Sequence, residues 1–346
     1  MNILFGVQAT GNGHISRARK MMKELLDEGH EIQVLFSGRD PSELWDMEIF
    51  GDFWVYKGLT FVVENGRINT LKTALNLELR KFYRDIRSIK NTGYDLVISD
   101  YEPITSRLAK RWGLQCIGIG HQYAFEFDIP KVKFSPHQRL IMDMFAPVDV
   151  PIGLHWHHFG QPIFPPIIPE LEPTDQNENA YLVYLPFDRW QNMLPFFQSF
   201  PDFKFNYFSP VENQIVRKNV TLHPFSRDGF LEKLKSCQGV ITSAGFELAS
   251  ESIHLGKKVL VRPISGQYEQ LCNGLALNQL GWGRSIKDWS HEHVESFLNQ
   301  AAEPRRCYPN VAKFLAHWVS EGTFDQMDTK SQEIWSGIGV ESLVHS

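Results

Sequence analysis

The sequence predicts an α/β protein made of two doubly wound halves that face each other across a cleft. Three observations predict it. Apolar strand-like runs alternate with helix-spaced runs from residue 3 to 120, and again from 180 to 261. A proline-rich stretch separates the two series. In each half, small and polar residues gather just past strand ends, where open parallel sheets bind ligands.

The elements follow in order. Ile3–Val7 is a continuous apolar run and reads as a buried strand. Gln8–His14 holds two glycines and reads as a turn. Ile15–Glu28 carries Ala18, Met21, Met22, Leu25 and Leu26 at helical spacing and stops at Gly29. Glu31–Ser37 is the next strand, and Phe53–Val63 is strand-rich. Asn69–Lys90 is a long amphipathic helix with Leu71, Leu75, Leu79, Phe82, Ile86 and Ile89 on one side. Asp95–Ser99, Ile104–Trp112 and Cys116–Gly120 continue as strand, helix and strand.

From Pro147 to Gln176 the chain changes character. Seven prolines there exclude a helix or a central strand. The expected division is a first domain at 1–158, a linker at 159–179, a second domain at 180–325 and a tail at 326–346 that crosses back. In the second domain Ala180–Leu185, Phe203–Phe208 and Val220–Leu222 read as strands. Gln191–Phe197 and Gly229–Ser236 read as helices. Gly239–Ile241 then runs into the small-residue turn Thr242–Gly245. A helix ending at Gly256 follows, then the strand Val259–Val261 and a polar loop with Gln267, Glu269 and Gln270. His291–Ala302 and Val311–Val319 are closing helices.

Composition excludes several classes. Net charge is −5, which gives no support to a nucleic-acid partner. The four cysteines, Cys116, Cys237, Cys272 and Cys307, are widely spaced, so neither a disulfide framework nor a zinc knuckle is expected and the compartment reads as cytoplasmic. No leader is expected in Met1–Val7, and no apolar run approaches the roughly 20 residues of a membrane span. His155-Trp156-His157-His158 lacks a carboxylate or cysteine at ligand spacing, so no metal is expected. The basic residues Lys72, Arg80, Lys81, Arg84, Arg87 and Lys90 leave peripheral contact with an anionic membrane open beside a plain solvated face.

The second-domain turn points to a nucleotide sugar. A helix start offers free N–H groups and a positive dipole end, which suit a diphosphate. Glu251, further along that helix, can accept two hydrogen bonds from a sugar diol. Glu247 stands one turn earlier and can serve instead. Gln267, Glu269 and Gln270 carry the donor and acceptor atoms that read hexose hydroxyls. Phe225, after a short strand, can pack against a base ring. In the first domain His14 lies at a helix start, as a general base for an acceptor hydroxyl or as a packing residue. Asp100 and Glu102 follow a strand end. Either can orient His14, bind acceptor, be the base itself or cap the next helix. His121 and Gln122, after Gly120, are acceptor-site candidates.

These residues resemble glycosyltransferase family 28, whose members are inverting nucleotide-sugar enzymes of the two-Rossmann GT-B fold. The family includes the bacterial peptidoglycan UDP-N-acetylglucosamine transferase and the plant monogalactosyldiacylglycerol synthases. Gly11-Asn12-Gly13-His14 resembles its N-terminal loop, and Phe159-Gly160-Gln161-Pro162 the end of its first domain. Ser243-Ala244-Gly245, Glu251, Gly256 and Glu269-Gln270-x-x-Asn273 resemble its donor region. The resemblance implies Glu251 on the donor ribose and Gly245, Ser243 and Gly13 around the diphosphate. It implies Glu269 and Gln270 on the sugar, His14 at the acceptor, and no metal or other cofactor. Tyr184-Leu185-Pro186-Phe187 departs from the family's Gly-rich loop, and Ser243-Ala244 replaces an arginine.

The expected activity is transfer of a hexose from a nucleotide sugar, UDP-linked first, to an acceptor hydroxyl on a lipid or glycan. A sugar-nucleotide epimerase and a non-catalytic partner subunit are the alternatives.

Overall fold

The computed structural model describes residues 1–59, 63–64, 67–68, 78–133, 136–174, 179–301 and 303–338. The first sheet comprises β1 (Asn2–Gln8), β2 (Glu31–Ser37), β3 (Phe53–Tyr56), β6 (Leu96–Asp100), β7 (Cys116–Gly120) and β8 (Val150–Gly153), with a small hairpin of β4 (Val63–Glu64) and β5 (Arg67–Ile68) apart from it. Its order is β3-β2-β1-β6-β7-β8, all parallel. The order reverses between β1 and β6, and Val7 stands in register with Asp100. Helices α1 (Asn12–Asp27), α2 (Leu79–Ser88), α3 (Pro103–Trp112) and α4 (Pro136–Phe145) accompany it.

The second sheet runs β11 (Ile215–Arg217), β12 (Val220–His223), β10 (Lys204–Phe208), β9 (Ala180–Tyr184), β13 (Gly239–Thr242), β14 (Lys258–Val261) and β15 (Arg284–Ser285). Only the edge pair β11/β12 is antiparallel. This sheet reverses between β9 and β13, with Thr242 beside Tyr184. Its helices are α5 (Trp190–Gln198), α6 (Arg227–Ser236), α7 (Phe246–His254), α8 (Tyr268–Leu280) and α9 (His291–Leu298). Crossover helices require strands buried on both faces, which is why β1, β6, β13 and β14 read as unbroken apolar runs. Each sheet thus presents one switch point, and ligands of such sheets bind there.

The lobes share a buried cluster. It runs from Val7 and Ile15 through Trp156 to Phe246 and Ala249. Trp156 is fully buried and donates its indole N–H to Ser250 Oγ at 2.8 Å, so this donor is paired within the apolar seam.

Four expectations need correction. Val150–Gly153 is a strand within the proline-rich stretch; it lies at the sheet edge, where Pro151 interrupts no ladder bond. The loop expected after β14 becomes α8 at Tyr268, because Gln267 caps it. The return to the first lobe begins with α10 (Val311–Glu321), ahead of residue 326. Asn310 donates to Glu24 at 3.0 Å and Ser320 to Glu28 at 3.1 Å, while α11 (Met327–Ser336) holds the linker through Trp335 and Ile163. Of the helix expected at Asn69–Lys90, the described part is Leu79–Ser88; it buries Phe82 and Ile86, and residues 69–77 lie outside the described residues. Among the described residues no helix is long and apolar enough to cross a membrane.

Candidate active site between the lobes

The first wall is built where β1 meets α1. Gly11 precedes the helix in extended conformation, so the chain enters α1 sharply and places His14 in its first turn. His14 keeps 15% of its side chain exposed, and its Nδ1 lies 2.7 Å from Asp100 Oδ1 at the end of β6. A carboxylate only accepts, so this contact puts a proton on Nδ1 and leaves the Nε2 lone pair open. Gln122 Nε2 stands 3.4 Å from that Nε2.

Asp100 is buried and clamped by Arg17, which donates from Nε to Oδ2 at 2.9 Å and from Nη2 to Oδ1 at 2.5 Å. Burial by itself would raise the Asp100 pKa; the charges of Arg17 and His14 outweigh it and hold the carboxyl below its ordinary value. Asp100 therefore stays an anion that fixes the imidazole.

The second wall is the turn after β13. Ala244 adopts φ 64°, a left-handed conformation rare for a residue with a Cβ, and its carbonyl accepts from Asn273 Nδ2 at 3.0 Å. Gly245 then opens α7 with no side-chain cap, so the first N–H groups of the helix remain available. Nothing lies within 4 Å of where a Gly245 Cβ would be, which leaves a ligand free access to the backbone. Ser243 Oγ is buried without a partner among the described residues.

Glu251 is 7% exposed, and no described group donates a hydrogen bond to its carboxylate. Burial pushes its pKa up to about 7, with Arg227 pulling the other way. Phe225, 48% exposed, meets Tyr184 edge-on at 6.3 Å.

Across the gap Gln122 donates to Glu269 Oε2 at 2.9 Å, while its own Oε1 is buried and unpartnered. Ser243 Oγ and Gln122 Oε1 are thus buried without a partner among the described residues, and no described group donates to the Glu251 carboxylate. Such groups cost stability unless something binds them.

Several expected site residues have other employment. Glu102 is fully buried; its oxygens accept from Ser37, Ile104 N and Thr105 N, so it caps α3 and meets no acceptor. Glu102→Ala is expected to cost about 2–4 kcal/mol by orphaning these donors. Urea unfolding checks the loss, and kcat of the folded fraction should stay unchanged.

His121 is wholly buried, bonded to Leu154 O and Asn273 Oδ1 and stacked on Phe246 at 3.9 Å, so it seals the seam and its neighbour Gln122 reaches the site. Gln267 and Gln270 are turned inward: Gln267 accepts from Gln270 N at 2.5 Å, and Gln270 accepts from Ile264 N at 2.9 Å. Only Glu269 of that trio extends across the gap. Gly13 packs against Glu247 of α7. Arg17 escaped the sequence reading, although its spacing of three from His14 puts both on one helix face. His155, His157 and His158 each use Nδ1 to accept a backbone N–H. No group of three or more His, Cys, Asp or Glu able to hold a metal occurs among the described residues.

The chain matches the family model for glycosyl transferase family 1 over residues 1–302, where its motifs had resembled family 28. No curated protein matches it. Among similar solved structures, the glycotransferase of kitacinnamycin is 14% identical, with 96% of this chain and 95% of that chain covered and a TM-score of 0.60. Glycosyltransferase SsfS6 of Streptomyces sp. SF2575, complexed with thymidine diphosphate, is 14% identical, covers 96% of each chain and has a TM-score of 0.58. Arabidopsis thaliana UGT89C1 complexed with UDP is 11% identical, covers 99% and 96%, and has a TM-score of 0.58. With a family match over most of its length and this likeness of fold over nearly all of it, the chain belongs to glycosyl transferase family 1 and is a glycosyltransferase of the GT-B fold.

Proposed function

We propose that the protein is an inverting transferase that moves a hexose from a nucleoside diphosphate sugar, UDP-linked in preference, to an acceptor hydroxyl. One observation carries this reading: the His14–Asp100 pair on one wall faces the uncapped α7 start on the other. His14 Nε2 takes the acceptor proton as the acceptor oxygen attacks the anomeric carbon. The bond from that carbon to the diphosphate breaks on the opposite face, which inverts the centre. Negative charge gathers on the leaving diphosphate, where the α7 N–H groups and dipole stabilise it without a metal. Ser243 lies beside this position.

Glu251 accepts from the ribose diol, Phe225 packs on the base, and Glu269 with Gln122 reads sugar or acceptor hydroxyls. The spacing from Gly245 to Glu251 supports this placement through its likeness to family 28. A free glycan and a lipid-linked saccharide both offer the hydroxyl this chemistry requires.

Glu251 also discriminates between donors. A ribose presents two adjacent hydroxyls; the deoxyribose of a thymidine donor presents one. UDP is therefore expected to bind about tenfold tighter than thymidine diphosphate, for the loss of one charge-assisted hydrogen bond. Calorimetric titration checks the order. The reading fails if no nucleoside diphosphate or its sugar binds, or if proton NMR of the product shows the donor's anomeric configuration retained.

A further inference from the structure

Arg17 lies one turn past His14 on α1, and its side chain is 2% exposed. Two arms of its guanidinium hold Asp100. The third, Nη1, donates to Oε1 of Glu247, in the first turn of α7 on the opposite lobe. Gly13 touches the same side chain: a Cβ at Gly13 would fall 2.6 Å from Glu247 Oε2. The first turns of α1 and α7 therefore meet through the Glu247 side chain. The guanidinium is a rigid planar fork, so its grip on Glu247 and its grip on Asp100 are set together.

We propose that Arg17 and Glu247 form a closure latch that aligns the His14–Asp100 pair when the two lobes meet. What the aligned base then does rests on the transferase reading; the latch itself does not. With α7 withdrawn, Arg17 keeps Asp100 as its one carboxylate, with His14 Nδ1 3.1 Å from its Nη2, and the Arg17–Asp100 pair carries no net charge. When α7 arrives, Glu247 adds one negative charge. The cluster is then −1 with His14 neutral, and zero once His14 has taken the acceptor proton. Closure thus supplies the counter-charge that an imidazolium needs in a buried site. Arg17 acts through Asp100 and is a positioning residue.

The test uses the full-length protein with Glu247→Gln, Glu247→Asp and Glu247→Ala. Glu247 is partly exposed, so these variants should fold, whereas Arg17→Ala removes a buried guanidinium from two carboxylates. Small-angle scattering without substrate reports closure. Calorimetry with UDP reports donor binding, and steady-state kinetics report turnover. The latch predicts a larger radius of gyration for Glu247→Ala, kcat lower by about ten- to a hundredfold, UDP affinity within about twofold, and partial recovery in Glu247→Asp. Glu247→Gln should lie between Asp and Ala.

Unchanged scattering in Glu247→Ala overturns the proposal. So does a loss of UDP binding with kcat retained, which would make Glu247 a donor contact. If no nucleotide sugar supports transfer in the wild type while Glu247→Ala still opens, the transferase reading falls and the latch stands.

Discussion

His14→Ala is expected to lower kcat by about 10²- to 10⁴-fold while donor affinity stays within about twofold. The imidazole presents Nε2 beside the Gln122 amide, and its other nitrogen lies 2.7 Å from Asp100. Removing it removes proton acceptance in the transition state and little that touches the bound donor. Asp100→Asn should approach the same loss by a different route. An amide in place of the carboxylate no longer requires Nδ1 to carry the proton, and Arg17 loses one of its two carboxylate partners. Single-turnover measurement with saturating donor separates chemistry from binding. A His14→Ala enzyme that turns over normally but binds UDP poorly would move the base elsewhere.

Glu251→Gln is expected to act in opposite directions on stability and on binding. The folded carboxyl titrates at about 7, above its ordinary 4.5, because it is buried without a hydrogen-bond donor. Between those values the unfolded chain has lost the proton and the native chain still holds it. Stability therefore falls as pH rises from about 4.5 to about 7 and stays lowered above that. At pH 8 the cost amounts to about 3 kcal/mol at most, from the conversion of a pKa difference to free energy. Glutamine should recover about 1–3 kcal/mol of it and flatten this part of the pH profile.

The same substitution removes a charged acceptor from the ribose, so UDP should bind about 10- to 100-fold more weakly. For the wild type, UDP affinity should tighten as pH rises through about 7, because the ionised carboxyl is the better acceptor. Thermal unfolding at pH 5 and 8, with calorimetry at both, checks all four numbers. A destabilised Glu251→Gln at pH 8 with unchanged UDP binding would show Glu251 to be a packing group.

Amino-acid order alone determined the alternation of strand and helix and the polar groups gathered just past the strand ends. Hydrophobic periodicity placed the strand ends within one residue of Gln8, Asp100, Thr242 and Tyr184, since periodicity is a record of burial along one element. Gly11, Gly13 and Gly245 marked the helix entries for the same local reason.

Tertiary structure decided which polar residues remain free. Glu102, His121, Gln267 and Gln270 look as capable as Asp100, Gln122 and Glu269 when read along the chain. Packing consumed the first group in caps and seam contacts and left the second group in the crevice. Arg17 and Glu247 are 230 residues apart, and their meeting follows from the docking of one lobe on the other, which no local pattern encodes. The same docking placed Val311–Glu321 on the first lobe. A hydrogen bond has a fixed number of partners, so where each is spent depends on every neighbour that packing brings within reach.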